Sequence, residues 1–301
     1  MSSANFYRWQ HRYAPYVFTA PFVITFAVFG LYPLVKSLVL AFYITNGPKS
    51  QVFVGLDNFA FMFHDPNFYK AAWNTAVFAF FSVFLQLPLS LGLAVLLNSK
   101  LIRLRNVFRF AFFSPYLLGQ VFVAVLFSVI FAPRLGLLNQ ALYLVAGDPA
   151  LKDIDWLGKG DLVMPALVIT SVWMYAGFNM IYFLAALQAV DKDLLDAAAV
   201  DGAGVWHRFL HVTLPSIKPV AVFVVVLSTI GSFQLFELPY LMLKNGPGPD
   251  QAGLTVVMYL YQKGFEAGDL GYASVVGWTL ALGVLLLSLV QMQLAGAWKR
   301  D

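Results

Sequence analysis

Cysteine is absent from the 301 residues. That excludes a disulfide scaffold, a Cys-ligated zinc site and thiol catalysis. Charge is scarce: Asp, Glu, Lys and Arg make up 11% of the chain, against about 25% in a soluble domain. Most of the chain is therefore not expected to face water. No stretch carries the G-x-x-x-x-G-K-[ST] pattern, and Gly158-Lys159-Gly160 does not supply it. An ATP site built on the usual phosphate loop is excluded from this chain. A nucleic-acid binder would set Lys and Arg beside aromatic platforms on a soluble surface. Here the aromatics sit inside apolar runs, where lipid accounts for them better. No nucleophile–base set stands out, which leaves a membrane-embedded enzyme with little support.

What is present is hydrophobicity, at 60% of the residues. Six apolar runs reach the length of about 20 residues that a helical span needs. They cover roughly residues 16–45, 71–97, 107–131, 162–190, 217–242 and 271–294. The first is longer than the ~7–15 residues of a signal-peptide core and lacks a small-x-small cleavage site, so it reads as a retained span. The fold class expected is all-α, a polytopic membrane protein with six transmembrane helices. The expected parts are a polar tail over 1–15, a first helix and outer loop over 16–70, a transmembrane domain over 71–294, and a tail over 295–301. Pro33 and Lys36 interrupt the first run, and Pro88, Pro115 and Pro239 fall inside later ones. In lipid, carbonyls freed by proline must find partners, so those points should face protein. Short apolar stretches at 137–145 and 254–261 are too short to span and suit peripheral helices.

A short polar stretch, 191–219, sits between the fourth and fifth runs. Leu195, Ala198, Ala199 and Gly202 recur at helical spacing, and their small members would let another surface approach the backbone. Asp191 and Asp193 sit where acids favour a helix start. Gly202 and Gly204 end that helix. A second amphipathic pattern carries Val205, Trp206, Phe209 and Leu210 on one face and His207, Arg208 and His211 on the other, suited to a membrane surface. Pro215 and Pro219 then lead into the fifth run. His207 and His211 are four apart, but the chain has only four His and no acid completes a ligand set. A polar face at headgroup level is favoured over a metal site. Alternate loops hold eleven and seven Lys and Arg. The richer side contains both termini and 191–219, and the positive-inside rule makes it cytoplasmic.

Polar residues inside spans mark a pathway by default. In the fourth run these are Trp173, Tyr175 and Asn179; in the fifth, Ser228, Ser232, Gln234 and Glu237. Gln234 and Glu237 share a face, with Gly231 one turn earlier. Amides, acids and aromatic rings are the mixture that binds sugars. Helix–helix hydrogen bonding is an equal alternative for Gln234 and Asn179, and Glu237 has a second reading at the outer interface, where its charge is cheap.

The 191–219 stretch resembles the cytoplasmic loop of ABC importer membrane subunits. Their motif is E-A-A, three residues, G, nine residues, I-x-L-P. Here Asp196-Ala197-Ala198, Gly202 and Val212-Thr213-Leu214-Pro215 keep every spacing, with Asp for Glu and Val for Ile. The flanks WMYAGFNMIYFLAALQ from Trp173, Asn245-Gly246-Pro247-Gly248 and Gly271-Tyr272-Ala273-Ser274 look like the carbohydrate-uptake branch, the maltose and glycerol-phosphate type permeases. The resemblance implies a type I ABC importer transmembrane domain in a cell inner membrane, with both termini cytoplasmic. It implies a second six-helix permease subunit, usually a different chain, two ATPase subunits, and an external solute-binding protein. It places no cofactor in this chain; ATP and Mg belong to the ATPase. Asp196, Ala197, Ala198, Asp201, Gly202, Leu214 and Pro215 would contact that ATPase. By position, sugar contacts would fall near Met174, Tyr175, Phe178, Gly231 and Gln234. The candidate substrate set is thus Trp173, Tyr175, Phe178, Asn179, Gly231, Gln234 and Glu237. The substrate expected is a di- or oligosaccharide. The alternatives are a self-sufficient secondary sugar carrier, or an ABC importer for glycerol phosphate or a polyamine.

Overall fold

A computed structural model of the chain describes residues 3–47, 50–99 and 102–296. Lys49, Lys100, Lys299 and Arg300, used above to orient the chain, lie outside these residues, as does most of the C-terminal tail. The order is α1 (Ser3–Phe26), a π-helical turn (Ala27–Leu31), α2 (Tyr32–Leu40), β1 (Tyr43–Thr45), β2 (Gln51–Phe53), α3 (Asp57–Met62) and α4 (Pro66–Asn98). Then come α5 (Arg105–Leu117), α6 (Gln120–Ile130), α7 (Leu137–Ala146), α8 (Gly160–Gln188), α9 (Lys192–Val200) and α10 (Val205–Arg208). A second π turn (Phe209–Thr213) joins α10 to α11 (Leu214–Phe233), followed by α12 (Glu237–Met242), α13 (Val256–Tyr261) and α14 (Leu270–Leu294). Among the described residues five helices are long and apolar enough to cross a membrane, and α5 with α6 makes a sixth if the bent pair counts as one span. The expected peripheral helices at 137–145 and 254–261 are α7 and α13.

The chain divides into two compact units, Met1–Asp65 with Leu260–Trp278, and Pro66–Tyr259 with Thr279–Asp301. In the first unit the apolar run expected over 16–45 leaves the helix at Leu40, and Tyr43–Thr45 pairs antiparallel with Gln51–Phe53. The buried Asn58 side chain donates to the carbonyls of Ala41 and Tyr43 at 3.0 and 2.9 Å. A backbone acceptor freed at the helix end is thereby satisfied away from water. A Cβ on Gly271 would lie 1.7 Å from the Tyr43 carbonyl oxygen, so only glycine lets the start of α14 pass there. Pro33 does not break the span: the π turn ahead of it widens the backbone, and proline falls on the second position of α2, where its missing N–H costs nothing.

In the second unit α4 and α8 pack along each other. Ser90 Oγ donates to the Ala176 carbonyl at 2.9 Å across that contact. A Cβ on Gly177 would lie 1.8 Å from the Phe112 carbonyl oxygen, so α5 crosses α8 at backbone distance. Small residues and interhelical hydrogen bonds hold helices together where lipid removes the hydrophobic drive between them. Thr229 and Gln291 make a similar link from α11 to α14, at 3.0 Å.

Two spans differ from the expectation of continuous helices. The third is broken: α5 and α6 meet at 98°. Pro115 withdraws one amide donor, and Ser114 Oγ donates instead to the Ala111 carbonyl at 3.0 Å. Gly119, at φ 74° and ψ 153°, makes the turn that a side chain would resist. The fifth run is shifted toward its N-terminal side. Val205–Phe233 is one helix of 29 residues, so the amphipathic 205–213 piece is the start of the span and not a separate surface helix. The π turn at Phe209–Thr213 lets Pro215 fall on the second position of α11. Helix then stops at Phe233 and restarts at Glu237, because Pro239 fits a first turn and not an interior. The buried Thr255 hydroxyl donates to the Leu235 carbonyl in that break at 2.7 Å, which is the protein partner expected near Pro239.

Candidate functional site: an exposed loop helix and an apolar-walled cavity

The loop helix α9 is set by its own ends. Asp191 caps the start, its carboxylate accepting from the Asp193 amide at 2.9 Å. The stop is a paired backbone motif: Ala203 N–H donates to Ala198 at 2.9 Å and Gly202 N–H to Ala199 at 3.1 Å. That motif requires a left-handed residue, and Gly202 has φ 82°. No residue of α9 is buried. Asp196, Ala197, Asp201 and Gly202 are exposed and Ala198 is half-buried. Leu194, Val200, Val205 and Trp206 are exposed apolar side chains beside them, Val200 at 88%. Leu214 and Pro215, the first two residues of α11, are exposed, away from this surface in sequence but on the same continuous helix that begins at Val205. This mixture of charged, small and apolar side chains is exposed, a composition that suits contact with another surface. His207 and His211 stack with ring centroids 4.0 Å apart, and His211 Nδ1 lies 3.1 Å from the His207 carbonyl.

The second region is a cavity of about 220 Å³ within the second unit. Of the candidate substrate residues, Tyr175, Phe178, Asn179, Gly231 and Gln234 line it. Nothing stands within 4 Å of where a Gly231 Cβ would be, so this glycine opens space in the wall. Asn179 is 2% exposed and donates to Ser228 Oγ at 3.1 Å. It therefore bonds a neighbouring helix and lines the cavity at once. The other two candidates, Trp173 and Glu237, and the implied position Met174 lie elsewhere. Trp173 packs edge-on against Phe127 at 5.2 Å and lines a separate groove with Pro115 and Leu118. Met174 is 2% exposed in the hydrophobic core. Glu237 is exposed in the first turn of α12, outside the lining.

Beside the apolar Phe78, Leu227 and Leu235, the sequence reading missed Gln86 on α4, Tyr116 on α5, Gln120 on α6 and Ser171 on α8. Tyr116 stacks on Phe178 at 4.3 Å. Gln120 donates to the Tyr175 hydroxyl at 2.6 Å. Both flank the break at Leu118–Gly119, so the bend is what brings two segments of the third span to one wall. The signal was available: Gln86 and Gln120 are polar residues inside apolar runs, the rule applied above only to the fourth and fifth. The two helix breaks, at 118–119 and 234–236, both open on this cavity. Such discontinuities are tolerated in a membrane where they line a cavity or meet protein.

The family model described as binding-protein-dependent transport system inner membrane component matches residues 86–299. The chain belongs to this family. It is 39% identical over 295 residues to the arabinooligosaccharides transport system permease protein AraP of Bacillus subtilis (strain 168), covering 97% of this chain and 92% of that one. It is 34% identical over 283 residues to the lactose transport system permease protein LacF of Rhizobium radiobacter, covering 93% of each. In fold it matches the crystal structure of a bacterial ABC transporter involved in the import of the acidic polysaccharide alginate, with a TM-score of 0.83, 23% identity and coverage of 98% of this chain and 100% of that one. The chain is thus an inner-membrane component of a binding-protein-dependent transport system, similar over nearly its whole length to sugar permeases, and its helical fold is that of a solved ABC transporter subunit.

Proposed function

We infer that this permease forms half of the pathway through which an external binding protein delivers a di- or oligosaccharide to the cytoplasm. A second permease subunit, a different chain, completes the pathway. Two ATPase subunits grip the 191–219 loop from the cytoplasm, where both termini also lie, and ATP with Mg is bound and spent there. Asp196 and Asp201 offer carboxylates to partner cations, Ala197, Ala198 and Gly202 give close approach, and Leu214 and Pro215 hold the exit of the loop in register. Tyr175, Phe178, Asn179, Gly231 and Gln234 meet the sugar.

The observation that carries this reading is the unbroken helix Val205–Phe233. It starts four residues past Asp201, at the exposed loop, and ends one residue before Gln234, at the cavity. From Val205 to Gly231 it spans about 39 Å at 1.5 Å per residue. A displacement of the loop is delivered to the cavity wall by one rigid element, as a mechanical coupling needs.

The test is stepwise reconstitution in proteoliposomes. Permease alone should neither hydrolyse ATP nor move sugar. Its ATPase, the second permease and the loaded binding protein should together restore both. Sugar counterflow by this chain alone would instead establish a self-sufficient carrier and refute the reading.

A further inference from the structure

The cavity wall carries no charged side chain; its polar members are amides and hydroxyls. Among the amides, Gln86 has so far been given no role. It stands mid-way along α4, 4% exposed, and lines the cavity. Its backbone carbonyl accepts from Ser90 Oγ at 2.6 Å, but among the described residues its side-chain amide has no hydrogen-bond partner. Facing the cavity with no partner from the described residues, that amide is available to a group that arrives there. Gln120 adds a buried orphan: its Nε2 donates to the Tyr175 hydroxyl, while its buried Oε1 is unpaired, at a desolvation cost that a ligand donor would relieve.

We propose that Gln86 is a substrate-contacting residue and that this permease's wall selects an uncharged saccharide over an acidic one. The proposal rests on the transport reading above and sharpens its substrate class. A primary amide both donates and accepts, which matches a sugar hydroxyl and cannot neutralise a carboxylate or phosphate. The rings of Tyr116 and Phe178, stacked together, offer a face to sugar C–H groups. An acidic substrate would be desolvated opposite neutral amides, with no charged side chain in the wall to offset the cost. A neutral one meets two waiting amide groups.

The experiment is saturation-transfer NMR on the purified permease assembly, without the binding protein, so that the wall alone does the selecting. The probes are a neutral oligosaccharide and a uronic-acid oligosaccharide of equal length. Transfer to the neutral sugar, and about tenfold less to the acidic one, is expected. Gln86→Leu should weaken neutral binding about five- to tenfold, the value of one or two hydrogen bonds, and Gln86→Asn should recover part of it. A purely structural role for Gln86 would lower the yield of assembled permease and leave the affinity of what assembles unchanged. Equal binding of both sugars, or unchanged affinity in Gln86→Leu, overturns the proposal while leaving sugar transport standing. Binding of neither sugar, with no uptake by the full reconstituted system, overturns the transport reading itself.

Discussion

Gly202 has two physical jobs that one substitution can separate. Its φ of 82° ends α9, and its bare backbone lies on the surface proposed to meet the ATPase. Nothing in this chain lies within 4 Å of its Cβ position, so a side chain there meets no clash from within. For alanine the cost is left-handed strain, about 1–2 kcal/mol. That shifts the helix stop by roughly a factor of 5 to 30, and α9, nine residues long with none buried, has little packing to resist fraying. Asparagine tolerates the left-handed region, so Gly202→Asn keeps the stop while adding a side chain to the surface. Overpacking a close contact costs about 1–3 kcal/mol, or about five- to 150-fold in docking. The assay is sugar uptake and binding-protein-stimulated ATP hydrolysis in proteoliposomes, with hydrogen exchange over 192–203 to confirm that α9 persists. Gly202→Asn should keep α9 protected and lose at least about fivefold of coupled uptake. Parental uptake with α9 intact would refute close contact and leave Gly202 a helix stop only.

Other substitutions probe the remaining links. Asp196→Lys reverses an exposed charge that has no partner among the described residues, so it should cut coupled ATP hydrolysis without altering the melting temperature of the purified permease; unchanged turnover would remove Asp196 from the docking surface. Gly177→Ala forces a Cβ to within 1.8 Å of the Phe112 carbonyl oxygen and should destabilise the second unit by at least about 1–3 kcal/mol, seen as a lower thermal midpoint in detergent; an unshifted midpoint would contradict the close crossing of α5 and α8. Thr255→Val keeps the shape but strips the donor from the Leu235 carbonyl. An unsatisfied buried carbonyl costs about 1–3 kcal/mol, so this variant should loosen the 234–236 break and slow uptake at full expression; uptake at the parental rate would show that the break needs no such tie.

Apolar length alone located the spans, because in lipid about 20 residues of helix satisfy every backbone group internally. It could not place their ends or breaks. Residues 41–45 are as apolar as what precedes them, yet the Asn58 side chain and the β1–β2 pairing take them out of the helix; both partners lie in the segment that follows, beyond the reach of an apolar-length rule. Pro115 was visible, but only the neighbouring Gly119 turns a tolerated proline into a 98° bend. Pro215 carried the opposite outcome, absorbed by a π turn that leaves no mark in composition. The cavity was half legible for a related reason. Tyr175, Phe178 and Asn179 sit on one continuous helix, where spacing assigns a common face. Tyr116 and Gln120 reach the same wall only through a break, and helical spacing says nothing across a break. Trp173 failed in the other direction: its polar tip suggested a pathway, but five residues from Phe178 it lies on a different side of α8.

The two breaks also bear on how a neutral wall can be moved. A continuous helix displaces its side chains together, as Val205–Phe233 would when its exposed start is shifted. A broken span does not. Tyr116, at the end of α5, stacks on Phe178, while Gln120, at the start of α6, bonds Tyr175. Each half of the third span is thus tied separately to α8. The cavity is therefore bounded on one side by a lever, whose last residues include Gly231, and on the other by a hinge at Gly119 whose halves follow α8. Tilting the lever changes the distance between Gly231 and the stacked rings without stretching any helix. That geometry would suit loosening the saccharide proposed to bind here, held by amide hydrogen bonds and ring contacts each worth only about 1 kcal/mol. A tightly held charge would require a larger motion to release, and the absence of charged side chains from the described wall fits a site that must let go as readily as it binds.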